Sequence, residues 1–202
     1  MSENNEKNII EENITEENIE EKPKKKPRKK KLTKAQLRKI LKESECTIVN
    51  NTNSRVTYKG NDFSFELSGY TDEDIVEIES LRKMHVKCKS FFSKYWILIT
   101  DIYCDDERIT LQDVYEYIGI EKYYFGDFKN PNCEFFDKVL LNDSIEKFQQ
   151  LLNAMNKELI TQLFSRACML YEQGKFDSAR KIQIIEEKIG REDCFRDIKK
   201  MN

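Results

Sequence analysis

Three groups of residues in this chain have the types that chemistry or binding requires. The first is cationic. Lys24, Lys25, Lys26, Arg28, Lys29, Lys30 and Lys31 stand almost without interruption, and Lys34, Arg38, Lys39 and Lys42 follow. Each such side chain laid against a phosphate releases condensed counterion, so the run suits nucleic acid, with an affinity that falls steeply with salt. It also suits docking on an acidic protein partner, and the bland reading is a solvated linker. No aromatic residue is interleaved in it, which leaves base stacking by the run unsupported. The second group is acidic: Asp101, Asp105, Asp106 and Glu107 follow an apolar run, a place where carboxylates that hold a hard cation often sit. A solvated turn capping the next helix explains the same four residues more simply. The third group is His85 and the cysteines. His85 is the only histidine, so any Ser-His-Asp or Cys-His device must use it. Lys83, Lys87 and Lys89 around it disfavour its cationic form, and it reads as an exposed or half-buried helical residue.

The six cysteines, Cys46, Cys88, Cys104, Cys133, Cys168 and Cys194, include no C-x-x-C pair, and the closest two are sixteen residues apart. Zinc sites built from close pairs are therefore not expected, and the thiols read as small buried hydrophobes of a reducing compartment. The glycines form neither G-x-G-x-x-G nor G-x-x-x-x-G-K-[ST], so phosphate-cradling loops are absent. No cofactor is expected. Two carboxylates meeting in space as an acid–base pair remain open on sequence.

The overall charge of −2 conceals a segregation. Residues 1–21 carry eight Glu and one Lys, residues 22–42 carry twelve Lys or Arg and no acid, and residues 43–202 carry 22 basic and 29 acidic residues. A/T-rich coding explains part of the Lys, Asn and Ile usage. Residues 1–32 are expected to be a disordered acidic-then-basic arm, with Pro23 and Pro27 disfavouring helix. Thr33 can cap a short basic amphipathic helix over residues 33–44.

An α+β subdomain is expected over residues 46–120 and a helical one over 121–202, with 46–190 as one compact body. Residues 96–103, which begin with the only Trp, hold the densest apolar run and predict the central strand. Residues 46–49 predict another, and 55–58 with 62–67 predict a hairpin turning at Lys59-Gly60-Asn61. Residues 75–78 suggest a further short strand, and one helix is expected from Ser80 to about Tyr95. Thr110 to Asp113 resembles a capping box, closed by Gly119. After it, helices start at Asn130-Pro131, Asp143, Asn156 and Asp177, the last ended by Gly190, and together predict a small bundle. The aromatic stripe Tyr115, Tyr117, Tyr123, Tyr124, Phe125 and Phe128 reads as core first and interface second.

Four stretches occur in order: Asn51-Thr-Asn-Ser-Arg-Val-Thr-Tyr58; Phe91-Phe-Ser-Lys-Tyr-Trp96 with its strand; Val114-Tyr-Glu-Tyr-Ile-Gly119 with Tyr123-Tyr124; and Gly174-Lys-Phe-Asp-Ser-Ala179. Together they resemble a group of small structural or assembly proteins of large tailed bacteriophages, over about residues 47–190. The resemblance implies no catalytic residue. It implies a virion or assembly role, with other virion proteins as partners and the virion or host cytoplasm as location.

The fold class expected is α+β: a small antiparallel β unit packed with helices, then a helical bundle. The function expected is a non-catalytic virion structural or assembly protein that docks on protein subunits, its basic arm contacting nucleic acid or an acidic partner. DNA and a second copy of the chain are further candidate partners. The alternatives are a DNA- or RNA-binding regulator using the arm, and a metal-dependent enzyme using Asp101, Asp105, Asp106 or Glu107. An acidic rather than basic-then-apolar N-terminus argues against secretion, and no apolar run is long enough to span a membrane.

Overall fold

Among the described residues, the most continuously buried strand lacks a long apolar run. β1 (Glu45–Asn50) is buried at every position after its first, including Thr47 and Asn50. It is the middle strand of a three-stranded antiparallel sheet, between β4 (Glu73–Glu77) and β5 (Ile97–Tyr103). The computed structural model describes residues 32–124, 128–129 and 132–201, with side chains described as far as Asp197. The architecture is α+β, as the periodicities indicate. β5 forms as expected, but it lies at the sheet's edge rather than at its centre. Its first three residues, Ile97, Leu98 and Ile99, are fully buried, and a bulge at Thr100 then shifts the register of the remaining pairs.

The hairpin of β2 (Val56–Lys59) and β3 (Ser64–Leu67) pairs Val56 with Leu67 and Tyr58 with Phe65. Asn50 joins it to the main sheet, and Asn51 ties the end of β1 to the corner before β5. The Asn50 amide donates to the carbonyls of Ser54 (2.8 Å) and Leu67 (3.3 Å), and its Oδ1 accepts from the Thr52 N–H at 2.8 Å. The Asn51 amide donates to the Tyr95 carbonyl at 3.0 Å.

The single helix expected from Ser80 to about Tyr95 is two. α2 (Ile78–Lys87) ends at Cys88, with φ −130° and ψ 65°, and α3 (Ser90–Ser93) follows. The break sends Phe91 toward the hairpin, where its ring meets Tyr58, Phe65 and Trp96 edge-on at 5.6–5.9 Å. Phe92 instead meets His85. Tyr95 then takes a left-handed φ of 56°, which turns the chain directly into β5. Its hydroxyl donates to the Tyr123 carbonyl (3.0 Å) and accepts from the Asn156 amide (2.8 Å), so tertiary bonds hold a conformation that a tyrosine rarely adopts.

α4 (Leu111–Ile118) starts in the Thr110–Asp113 capping box and stops at Gly119, φ 85°. Tyr115, Tyr124 and Phe128 of the aromatic stripe are buried, whereas Tyr117 and Tyr123 are half-buried. α5 (Glu134–Asp137) runs into a π-helical turn, Lys138–Asn142, followed by α6 (Ile145–Ala154), α7 (Lys157–Glu172) and α8 (Ala179–Ile189). Asn130, Pro131 and Phe125 lie outside the described residues. Ser144 and Asn156 cap α6 and α7 through their side chains. The N-cap of α8 is Ser178 rather than Asp177. The body also extends past Gly190: α9 (Cys194–Met201) inserts Phe195, 1% exposed, against Phe164, Tyr171 and Phe176. One continuous apolar core runs from Leu41 to Phe195.

Candidate nucleic-acid interface

Lys34, Arg38, Lys39 and Lys42 belong to a folded helix. α1 (Lys34–Lys42) begins in a reciprocal box in which Thr33 Oγ1 accepts from the Gln36 N–H (3.3 Å) and Gln36 Oε1 accepts from the Thr33 N–H (3.0 Å). Two orphan N–H groups are satisfied in this way. Lys39 and Lys42 stand in the last turn, where cations complement the negative end of the helix. Leu41 is fully buried, Leu37 and Ile40 are half-buried, and α1 packs against α2 and α4. These four cations therefore have fixed positions on the body, whereas the sequence reading sets the helix over residues 33–44 outside the compact body. Lys24, Lys25, Lys26, Arg28, Lys29, Lys30 and Lys31 lie outside the described residues.

The three helices enclose a groove of about 740 Å³, lined by all four α1 cations together with Arg82, Asp113, Glu116 and Tyr117. Its floor is preorganised. Arg82 donates through Nε and Nη2 to the two oxygens of Glu79, each at 2.7 Å, and the Tyr117 hydroxyl donates to Glu79 at 2.7 Å. The Arg82 guanidinium also lies 5.6 Å from the Tyr117 ring centre. Hydrogen bonds from Arg82, then from Tyr117, hold the Glu79 carboxyl down to about 2 against the opposing effect of burial. Asp113 is occupied by the Thr110 cap, and Glu116 accepts from Gln112 at 3.2 Å. The α1 cations are exposed and none pairs with a described acid. Their field is left for a ligand.

Arg82, Glu79 and Tyr117 escape a reading of the basic run because they come from other helices. The i,i+3 spacing of Glu79 and Arg82 was the available signal.

The acidic residues sit differently. Asp101 lies on β5, paired across to Thr47, and Asp105, Asp106 and Glu107 form the following turn. Asp106 accepts from Arg108 Nε (2.8 Å), Arg108 Nη2 (2.6 Å) and the Arg108 N–H (3.0 Å). Among the described residues no three His, Cys, Asp or Glu side chains gather as a metal site would require.

His85 is buried, 7% exposed, rather than half-exposed. Its Nδ1 lies 3.1 Å from the Ile118 carbonyl, which can only accept, so Nδ1 carries the hydrogen and Nε2 is left buried without a partner among the described residues. Burial, with Lys122 and Lys89 nearby, pushes its pKa below the usual 6.5. Burial pushes the thiols of Cys46, Cys133 and Cys168 up to about 12 and that of Cys194 to about 11, which keeps them protonated and weakly nucleophilic.

No protein-family model, no curated protein and no solved structure matches this chain. Among the described residues no helix is long and apolar enough to cross a membrane.

Proposed function

We propose that this protein is a non-catalytic nucleic-acid-binding protein whose α1 groove seats a phosphate backbone, with the cations of residues 22–31 extending the contact. The observation that carries the reading is the set of four α1 cations, none paired with a described acid, held on a preorganised floor beside Arg82. Rigid cations lose less entropy on binding than cations on a loose chain. The groove's shape and charge suit a polyanion, and protonated thiols with a locked His85 favour binding over nucleophilic chemistry. The setting proposed for it is a virion or its assembly.

The test is a mobility-shift titration across salt with Lys34→Ala, Arg38→Ala, Lys39→Ala and Lys42→Ala combined. Alanine keeps the helix. The expected result is weaker binding and a salt slope reduced by about one for each phosphate that is no longer neutralised. Unchanged affinity and slope would sink the groove. Deleting residues 22–31 in parallel measures what the preceding cations add.

A further inference from the structure

A second cleft, of about 430 Å³, opens where the turn before β2, the α3–β5 corner and one face of α7 meet. Its walls include Trp96, Phe91, Gln162, Arg55, Ser54 and Thr57. The walls are fixed. Asn53 donates from its amide to the Ser165 carbonyl (2.8 Å) and to Ser165 Oγ (3.1 Å), which ties the turn to α7. The turn itself is braced by Thr52 against Asn50 Oδ1. The Trp96 ring stands edge-to-face with Phe91, centres 5.6 Å apart.

Gln162 presents an amide to this cleft. It is 9% exposed, it lines the cleft, and its amide makes no hydrogen bond with the other described residues. This primary amide is not cut off from water, so it is open to the cleft. It presents a donor and an acceptor in one plane, which matches the edge of a nucleobase, adenine above all. Half-buried Trp96 offers the π-surface on which an unstacked base rests. Sugars also use tryptophan and amides, but a cation stands at this site. Arg55 lines it and, among the described residues, pairs with Glu66 through an exposed ion pair at 3.2 Å. An exposed pair of that kind exchanges readily.

We propose that this cleft binds one nucleotide, its base between Trp96 and the Gln162 amide and its phosphate toward Arg55. The inference deepens the nucleic-acid reading but makes no use of the α1 groove. A free nucleotide and an unpaired nucleotide within a strand offer the same chemistry.

Trp96 is the only tryptophan, so its fluorescence reports on the cleft alone. The full-length chain is titrated with AMP, adenosine, an oligo(dA) strand and methyl glucoside. Saturable quenching by AMP is expected, weakened about tenfold or more in Gln162→Leu. Arg55→Ala should weaken AMP and leave adenosine unchanged, a distinction that loss of folding does not produce. Tighter binding of the strand than of AMP assigns the site to single-stranded nucleic acid, and equal binding assigns it to free nucleotide. No saturable response to AMP or the strand, equal AMP affinity in Gln162→Leu, or a response to the glucoside alone overturns the proposal. If mobility shifts vanish with the α1 substitutions while Trp96 never responds, the cleft fails and the groove stands. If AMP quenches Trp96 but no mobility shift occurs, the groove fails and the cleft stands.

Discussion

His85 and Lys181 are buried titratable side chains that face opposite problems. The Nε2 of His85 has no acceptor among the described residues, so charging the ring in the folded state is unfavourable, and desolvation lowers its pKa. The unfolded chain then takes up the proton more readily than the folded one. Stability is complete above about pH 6.5 and declines as pH falls from there toward the folded-state pKa. The melting temperature should drop between pH 7.5 and 5.5, and His85→Gln, which keeps a donor for Ile118, should flatten that drop. Lys181 is 4% exposed and has the acceptors that His85 lacks. Its Nζ donates to the Leu140 carbonyl (2.6 Å) and the Val139 carbonyl (3.3 Å), inside the π-helical turn, and lies 5.4 Å from the Phe148 ring centre. A π-helical turn interrupts the regular ladder, and the ammonium satisfies carbonyls there. Lys181→Met should cost about 1–3 kcal/mol in urea unfolding, because the carbonyls stay buried without that donor.

At the level of elements, helix ends carry the clearest sequence signals. Thr33, Thr110 and Asn156 accept from backbone N–H groups as their types demand, and Gly119, Gly174 and Gly190 take positive φ where the helices stop. Thr33→Ala removes the cap that starts the groove's main wall. It should cost about 1 kcal/mol in thermal or urea unfolding and weaken nucleic-acid binding through disorder in α1. The hairpin was legible from alternation and its turn. The order of the main sheet was not, because alternation shows which face is buried and says nothing of neighbours. Residues 46–49 read as a strand, but the central place of β1 was masked because it buries Thr47 and Asn50, whose polar groups bond to Tyr103 and to the hairpin. The break at Cys88 was hidden because Leu81, Met84, Cys88, Phe91 and Phe92 fit one helical face, although Phe91 and Phe92 have different partners. The α1 half of the groove was visible as cations at helical spacing. The half supplied by Arg82 and Tyr117 exists only once three helices meet.

Across the described chain, one core joins the sheet to the last helix. Trp96 reports from the β5 corner, and most of the circular dichroism comes from helices, many of them beyond it. The two signals should therefore give the same urea midpoint. Phe195→Ala, a cavity among Phe164, Tyr171 and Phe176, should lower both together by about 3–5 kcal/mol. A shift in the helical signal alone would mean that the α9 end unfolds separately.

The position of β1 between β4 and β5 bears on how the polypeptide is made. Translation delivers β1 well before β5, which reaches it only from the far side of the hairpin, β4, α2 and α3. Until Tyr103 clears the ribosome, one flank of β1 has bare amides and carbonyls, open to pairing with any extended segment of a neighbouring nascent chain. Slow elongation while β5 is still inside the ribosome therefore prolongs the interval in which aggregation competes, whereas a pause after Tyr103 has emerged does not.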